Sequence, residues 1–301
     1  MKEAKRAESK LSTDDILSGV PANKRADAKE YITNAQSKLE QIEVFIKDQD
    51  ISNTLRYQQD IADAVYQARL LSMPADKLPF EIPDEYSSMP TLRGLAKVEC
   101  VISKPADSKA TFDLGDAKRS KTVSLLLQLD GYHAPLTTGN FVDLVQRKFY
   151  DGLPFNSVDD LIVQTGKPSN SNNGFIDPKT REQRTIPLEL FYKNDVEPTY
   201  GYTSDDDKRA TESMADPFQA YGAIGMAHDP EDPNTASSQF WFLKWDQALV
   251  APSRNTLDGS QACLGYIVSN EQVISQINNG DEVSSIRVVE GIENFHRSSA
   301  P

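Results

Sequence analysis

Over the first seventy residues the apolar positions recur in steps of three and four. Ala28, Ile32, Ala35, Leu39, Ile42 and Ile46 fall on one stripe of a helix. Lys47-Asp48-Gln49-Asp50 interrupts that stripe, and Ile51, Leu55, Ile61, Val65, Ala68 and Leu71 resume it. Two stripes joined by a short polar turn predict an antiparallel helical hairpin. Upstream, Ser12-Thr13-Asp14-Asp15 offers an N-cap before Ile16 and Leu17, Gly19 ends that short piece, and Pro21 opens the long one. A two-helix hairpin encloses little core, so its apolar stripes need the rest of the chain or another protein to cover them.

The period then changes. Pro74, Pro79, Pro83 and Pro90 fall within 21 residues and predict an extended linker over 74–94, because proline fixes φ and removes a donor. From Leu95 onward the pattern is strand and turn, first at Val98–Ile102 and Val123–Leu129. Two helices interrupt it. One runs from Thr138 to Lys148 with Phe141, Leu144 and Val145 inward; the other runs from Asn270 to Asn279 through Val273, Ile274 and Ile277, and stops at Gly280. The class is α+β: a helical segment over 1–73, the linker over 74–94, and a closed antiparallel barrel capped by two helices over 95–301.

A net charge of −13 argues against a nucleic-acid partner, which needs a basic face to displace counterions. No apolar run is long enough to cross a bilayer, and Met1–Lys10 lacks a signal-peptide core. The sequence therefore reads as a soluble chain, or as a mature form without its targeting segment. Cys100 and Cys263 each sit in an apolar strand-like stretch and read as buried thiols, with one bridge as the alternative. His133, His228 and His296 have no metal-ligand spacing, and neither a nucleophile elbow nor a phosphate-cradling glycine loop appears, so no cofactor is expected. Ser204-Asp205-Asp206-Asp207 reads as a solvated loop, and Asp229–Pro233 as a surface insertion.

Chemistry is carried by an ordered series of motifs. Ala134–Phe141 is followed by Phe149-Tyr150-Asp151-Gly152-Leu153-Pro154-Phe155 and Leu161–Gly166. Thr185-Ile186-Pro187-Leu188-Glu189 comes next, then Gly225-Met226-Ala227, Asn234–Phe242, and finally Leu257-Asp258-Gly259 with Leu264-Gly265. In that order, from Val98 to Gly291, the series resembles the cyclophilin family of peptidyl-prolyl cis-trans isomerases. The resemblance implies a cyclophilin-like barrel of eight strands and a groove that grips proline. Rotation about an X-Pro bond faces a barrier of about 20 kcal/mol from amide resonance. In the family an arginine lowers it by donating toward the prolyl nitrogen, above a dry pocket for the ring.

This chain departs from that pattern at the centre. The arginine's position, two after Phe155, is Ser157, and an acidic loop with Asp159 and Asp160 follows. The pocket pair aligns with Leu161 and Ile162. Phe155 is counted with the groove, and Gln164, Ala227 and Gln239 are retained for the substrate backbone. Trp241 replaces the pocket phenylalanine, Thr256 its tryptophan and Gln261 its histidine, while Leu257 is kept and His228 takes an asparagine position. The resemblance therefore implies weak or absent isomerase activity with a surviving peptide groove. The alternative is an active isomerase in which Lys167 or Lys244 supplies the cation, and a purely structural subunit is the third reading.

The altered pocket, the N-terminal helices and the long insertion between Gly166 and Gly222 resemble one subgroup, the two-domain cyclophilins of the thylakoid lumen. That resemblance implies a lumenal assembly and repair factor for photosystem II. Its partner would be a proline-containing loop of a membrane-protein client, and its helical segment would cover the barrel's groove or recruit a second partner. The helical segment here is short for a complete four-helix bundle.

Overall fold

A computed structural model describes residues 17–18, 20–71, 78–115, 117–168, 173–218, 220–244 and 256–297. Contacts divide the chain into two compact units, Met1–Ala75 and Asp76–Pro301.

The first unit is built on helices α1 (Arg25–Lys47) and α2 (Ile51–Leu70). Pro21, at φ −52° and ψ 141°, precedes a 3-10 turn over Ala22–Lys24 that leads into α1. Gln49 takes a left-handed φ of 56° in the turn between the helices. Asp50 then caps α2, accepting from the Asn53 backbone N–H at 3.0 Å and from Asn53 Nδ2 at 2.6 Å. The helices run antiparallel, with Lys38 Nζ 2.6 Å from Asp60 Oδ2 and the Phe45 ring 4.9 Å from the Tyr57 ring. Leu39 and Ile42 are buried against Tyr57, Ile61 and Val65. Ile46 and Ile51 lie beside the turn and are exposed, although the stripe counts them as inward. The expected cap at Ser12–Asp15 lies outside the described residues, as does the Leu55 side chain.

The second unit is organised by nine strands. In chain order they are β1 (Leu95–Ser103), β2 (Thr122–Asp130), β3 (Leu153–Pro154), β4 (Ser157–Val158), β5 (Ile162–Thr165), β6 (Ala223–Met226), β7 (Phe240–Leu243), β8 (Cys263–Ser269) and β9 (Glu282–Glu290). They form one antiparallel sheet in the order β3-β9-β1-β2-β8-β6-β7-β5-β4. Alternation builds its interior. Ala96, Val98, Cys100 and Ile102 of β1 and Val123, Leu125, Leu127 and Leu129 of β2 all point into one core. Helix α3 (Pro135–Gln146) adds Phe141, Val142, Leu144 and Val145 to it.

The sheet is curled but open, with nine strands where a closed barrel of eight was expected. The segment Leu153–Val158 supplies both of its edges. Phe155 donates its N–H to Asp281 O at 2.7 Å and accepts from Gly280 N at 2.9 Å, on the β9 side. Its neighbour Asn156 donates to Gln164 O at 3.1 Å, on the β5 side. No ladder joins β3 to β4, because they are successive pieces of one bent segment rather than two neighbouring strands. Pro154, which has no N–H, ends β3 at that bend.

Three further expectations are corrected. Residues 78–94 pack into the second unit instead of forming a linker: Phe80 meets Phe191 at 6.1 Å, Tyr86 meets Tyr200 at 5.3 Å, and Thr91–Leu92 pairs with Phe295–His296. The second helix is a 3-10 turn over Glu271–Gln276, bounded by left-handed Asn270 and extended Ile277. Helix α3 starts at Pro135 rather than Thr138, since proline at the first helical turn loses no bond. Glu189 caps that start, accepting from the N–H groups of Leu136 at 3.1 Å and Thr137 at 2.8 Å and from Thr137 Oγ1 at 2.8 Å. Both cysteines are buried free thiols. Among the described residues no helix is long and apolar enough to cross a membrane.

A buried ion pair holds the seam. Lys104 Nζ lies 2.7 Å from Asp281 Oδ2 and 4.3 Å from the centre of the Phe112 ring, with both charged side chains about 98 % or more enclosed. Replacing Lys104 by Met leaves the Asp281 carboxylate buried without its cation. Urea unfolding is expected to show a loss of about 3 kcal/mol or more, and a loss within error of zero would refute this role for the pair.

Two groups contribute a fall in stability as the pH rises. Burial pushes the Glu189 carboxyl up to about 7 from 4.5, outweighing its bonds from Thr137 and Leu136. Burial lowers His133, but Asp130 and Asp216 more than reverse this and hold it at about 10 instead of 6.5. In both cases the folded state binds the proton more tightly than the unfolded chain, so stability falls as the proton is lost. The urea midpoint should decline between pH 4.5 and about 7 and again between pH 6.5 and about 10. Glu189→Gln should flatten the first decline and His133→Gln the second; a wild-type midpoint constant across both ranges contradicts the assignment.

Candidate functional site

The curl of the sheet sets one row of residues side by side on its outer face. Ser157 pairs with Gln164, Gln164 with Trp241, Trp241 with Gly225, and Gly225 with Cys263, across β4, β5, β7, β6 and β8. The flanking row Val158, Val163, Phe242 and Ile224 supplies the opposite, inner face. Directly opposed side chains on neighbouring strands sit about 5 Å apart. Ser157 is therefore two strands from Trp241, with Gln164 between them.

Trp241 dominates this face. It is only 3 % exposed and packs with Phe218, Ala223, Leu243 and Cys263, with half-buried Ile162, Ala227, Leu257 and Tyr266 around it. Its ring lies 4.9 Å from that of Phe218, tilted by 34°. The indole rests directly over Gly225: a Cβ there would come within 2.0 Å of the indole carbon Cζ2. The centre of this face is thus filled by the chain's own indole and by Phe218.

Polar groups frame the indole. Gln164 Nε2 donates to Gln239 Oε1 at 3.0 Å, and Gln239 Nε2 donates to Asn173 O at 2.8 Å. On the other wall, the His228 ring bridges two loops. Its Nδ1 lies 2.8 Å from Asp229 O, and its Nε2 lies 2.8 Å from both Ser260 O and Gln261 Nε2. That contact ties the turn after β6 to the loop carrying Thr256, Leu257 and Gln261. Asp159 closes the turn before β5, accepting from Leu161 N at 2.7 Å and Ile162 N at 2.8 Å.

The residues singled out from sequence divide into three groups. Ile162, Gln164, Ala227, Gln239, Trp241 and Leu257 come together, and His228 meets Gln261 beside them. Ser157, Leu161 and Thr256 are exposed at the rim. Phe155 does not line the groove. It is 1 % exposed in the main core, 6.3 Å from the Phe242 ring, and acts only by fixing where Ser157 emerges. Lys244 reaches the rim through its backbone N–H, which donates to Leu161 O at 2.7 Å, and Lys167 is exposed beyond the end of β5.

Two residues here were not anticipated. Phe218 belongs to the long insertion, and its N–H donates to Asp258 Oδ1 at 2.7 Å. Ser204, read as solvated, is buried; its N–H donates to Gly259 O at 2.7 Å, close enough that a Cβ on Gly259 would clash with its hydroxyl. The insertion thereby braces the loop behind the pocket. Only its length hinted at this, since no local spacing marks either residue.

Elsewhere, Asp130, His133 and Asp216 bring three ligand-type atoms within 4.8 Å of one another. His133 Nδ1 lies 2.9 Å from Asp130 Oδ2 and 3.2 Å from Asp216 Oδ2. A proton on that nitrogen, bonded to Asp130 and facing the Asp216 carboxylate, accounts for the cluster.

Comparison with known proteins gives the family. The family profile described as cyclophilin type peptidyl-prolyl cis-trans isomerase/CLD matches residues 118–294. A protein of Synechocystis sp. named as a thylakoid lumen peptidyl-prolyl cis-trans isomerase is 36 % identical over 95 % of this chain and 70 % of its own length. A chloroplastic peptidyl-prolyl cis-trans isomerase of Arabidopsis thaliana is 33 % identical over 94 % of this chain, which spans 62 % of that protein. Among solved structures, the Mimivirus cyclophilin aligns with 66 % of this chain and 92 % of its own, at 18 % identity and a TM-score of 0.42. The chain belongs to the cyclophilin-type peptidyl-prolyl cis-trans isomerase family.

Proposed function

We propose that this protein is a peptide-capturing cyclophilin of the thylakoid lumen. It holds a proline-containing loop of a membrane-protein client during photosystem II assembly or repair, and it accelerates X-Pro isomerisation weakly or not at all. The observation that carries this reading is the outer-face row itself. Ser157 stands where the family has its guanidinium, and Trp241 with Phe218 occupies the place of the proline ring. A serine hydroxyl brings no charge to the prolyl nitrogen. Losing one preorganised donor of this kind costs about 3 kcal/mol, or a factor of roughly 10² to 10³ in rate. The glutamine pair and the backbone at Ala227 and His228 remain to hold an extended peptide. The lumenal setting is supported by the names of the cyanobacterial and plant relatives, and the photosystem II client by the subgroup resemblance. The helical hairpin is proposed as a second contact for the client.

Exchange spectroscopy on X-Pro peptides with the full chain tests the catalytic half. Relaxation should stay close to the uncatalysed scale of tens of seconds or more, while the double variant Ser157→Arg/Trp241→Phe should gain about tenfold or more. Fast turnover by the unaltered chain overturns the reading. Loss of that turnover in Lys244→Ala or Lys167→Ala would then assign the cation to a lysine.

Calorimetry tests the binding half. A proline-containing peptide should bind the full chain, and Gln164→Ala should weaken it about tenfold, the worth of one good hydrogen bond. Equal affinity in the variant would remove the groove from the proposal.

A further inference from the structure

The most heavily charged buried point of the second unit lies away from the groove. Asp143, on α3, has a side chain only 1 % exposed and is met by three arginines. Its Oδ2 accepts from Arg147 Nε at 2.7 Å and from Arg184 Nη1 at 2.7 Å. Its Oδ1 accepts from Arg297 Nε at 2.8 Å, with Arg297 Nη2 at 2.6 Å. One carboxylate neutralises one guanidinium, so two positive charges remain at this point in a chain of net charge −13. A purely structural clamp accounts for the bonds but not for the excess.

Two further observations concern the arginines of the cluster. Among the described residues, Arg184 Nε and Nη2 are buried N–H donors without an acceptor, and a buried, unsatisfied charged donor calls for a partner. The Arg184 and Arg147 guanidiniums lie 4.8 and 5.4 Å from the centre of the same Phe175 ring. That ring supports their faces and offers no acceptor in their planes. Beside them opens a cavity of about 690 Å³, walled by the three arginines, Lys179 and the 177–185 loop, with Asp177 and Glu182 also on its wall. Counting all seven charged groups, the wall still carries four positive charges against three negative.

We propose that this cavity is a binding site for a small oxyanion of the phosphate class. Guanidinium forks match the oxygens of such an anion two at a time, and a dianion offsets the charge that Asp143 leaves over. Arg147 and Arg297, each partly exposed, would supply the first donors, and Arg184 would complete the set by a small rotation on Phe175. The site lies on the α3 side of the unit and does not rest on the peptide-capture reading.

The test is a titration of the full chain with inorganic phosphate, with chloride matched for ionic strength, read by phosphorus-31 line broadening and by thermal midpoint. A phosphoserine peptide run in parallel shows whether the anion is taken free or on a chain. Saturable broadening with a rising midpoint is expected, because a ligand that binds only the folded state stabilises it. Arg147→Gln/Arg297→Gln should weaken binding at least about tenfold, while exposed Arg119→Gln should leave it unchanged. If the double variant fails to fold, Arg297→Gln alone carries the comparison, and about threefold weakening is expected. A response no larger than that to chloride for both probes, or undiminished saturable binding in the arginine variants, overturns the site.

Discussion

The bend at Phe155–Asn156 is the constraint on which the rest of the second unit depends. Two adjacent residues satisfy opposite edges of one sheet, Phe155 toward Asp281 and Gly280, Asn156 toward Gln164. The sheet must therefore curl until β9 and β5 stand within reach of a single peptide unit. That curl encloses Phe155 with Phe242 and turns Ser157 outward into the row with Gln164 and Trp241. The site is a consequence of how the sheet is brought round.

Buried polar groups hold the bend and its supports in place. Lys104 and Asp281 pair inside the core next to the loop that receives Phe155, and such a pair is costly to break from either side. Glu189 reaches back 52 residues to satisfy the first turn of α3. Both devices tie distant parts of the chain together through groups that must find partners once water is excluded. The insertion performs the same service at the pocket, where Ser204 and Phe218 hold the loop of Leu257 and Asp258.

Around the indole the face is apolar and closely packed. Trp241 lies flat on Gly225, where any side chain would displace it. Without a cation in the row, the face is apolar at its centre and amide-lined at its border. The positive charge that this unit does concentrate lies elsewhere, around Asp143.

Periodicity alone located both helices of the hairpin and most of the long strands, because a stripe of step three to four or an alternation of step two is a local property of the chain. The ordered motifs point to the family and mark Gln164, Gln239, Trp241 and Leu257 as neighbours. The open, nine-stranded form of the sheet, the packing of residues 78–94 and the placement of Phe155 in the core were not legible. Each depends on which edge or surface a segment meets after folding. The capping of α3 by Glu189, the brace from Phe218 and Ser204, and the three arginines on Asp143 were hidden for the same reason. Sequence carries the pattern of each element, but a pairing between residues tens of positions apart is settled only when desolvation drives buried donors and acceptors to find partners.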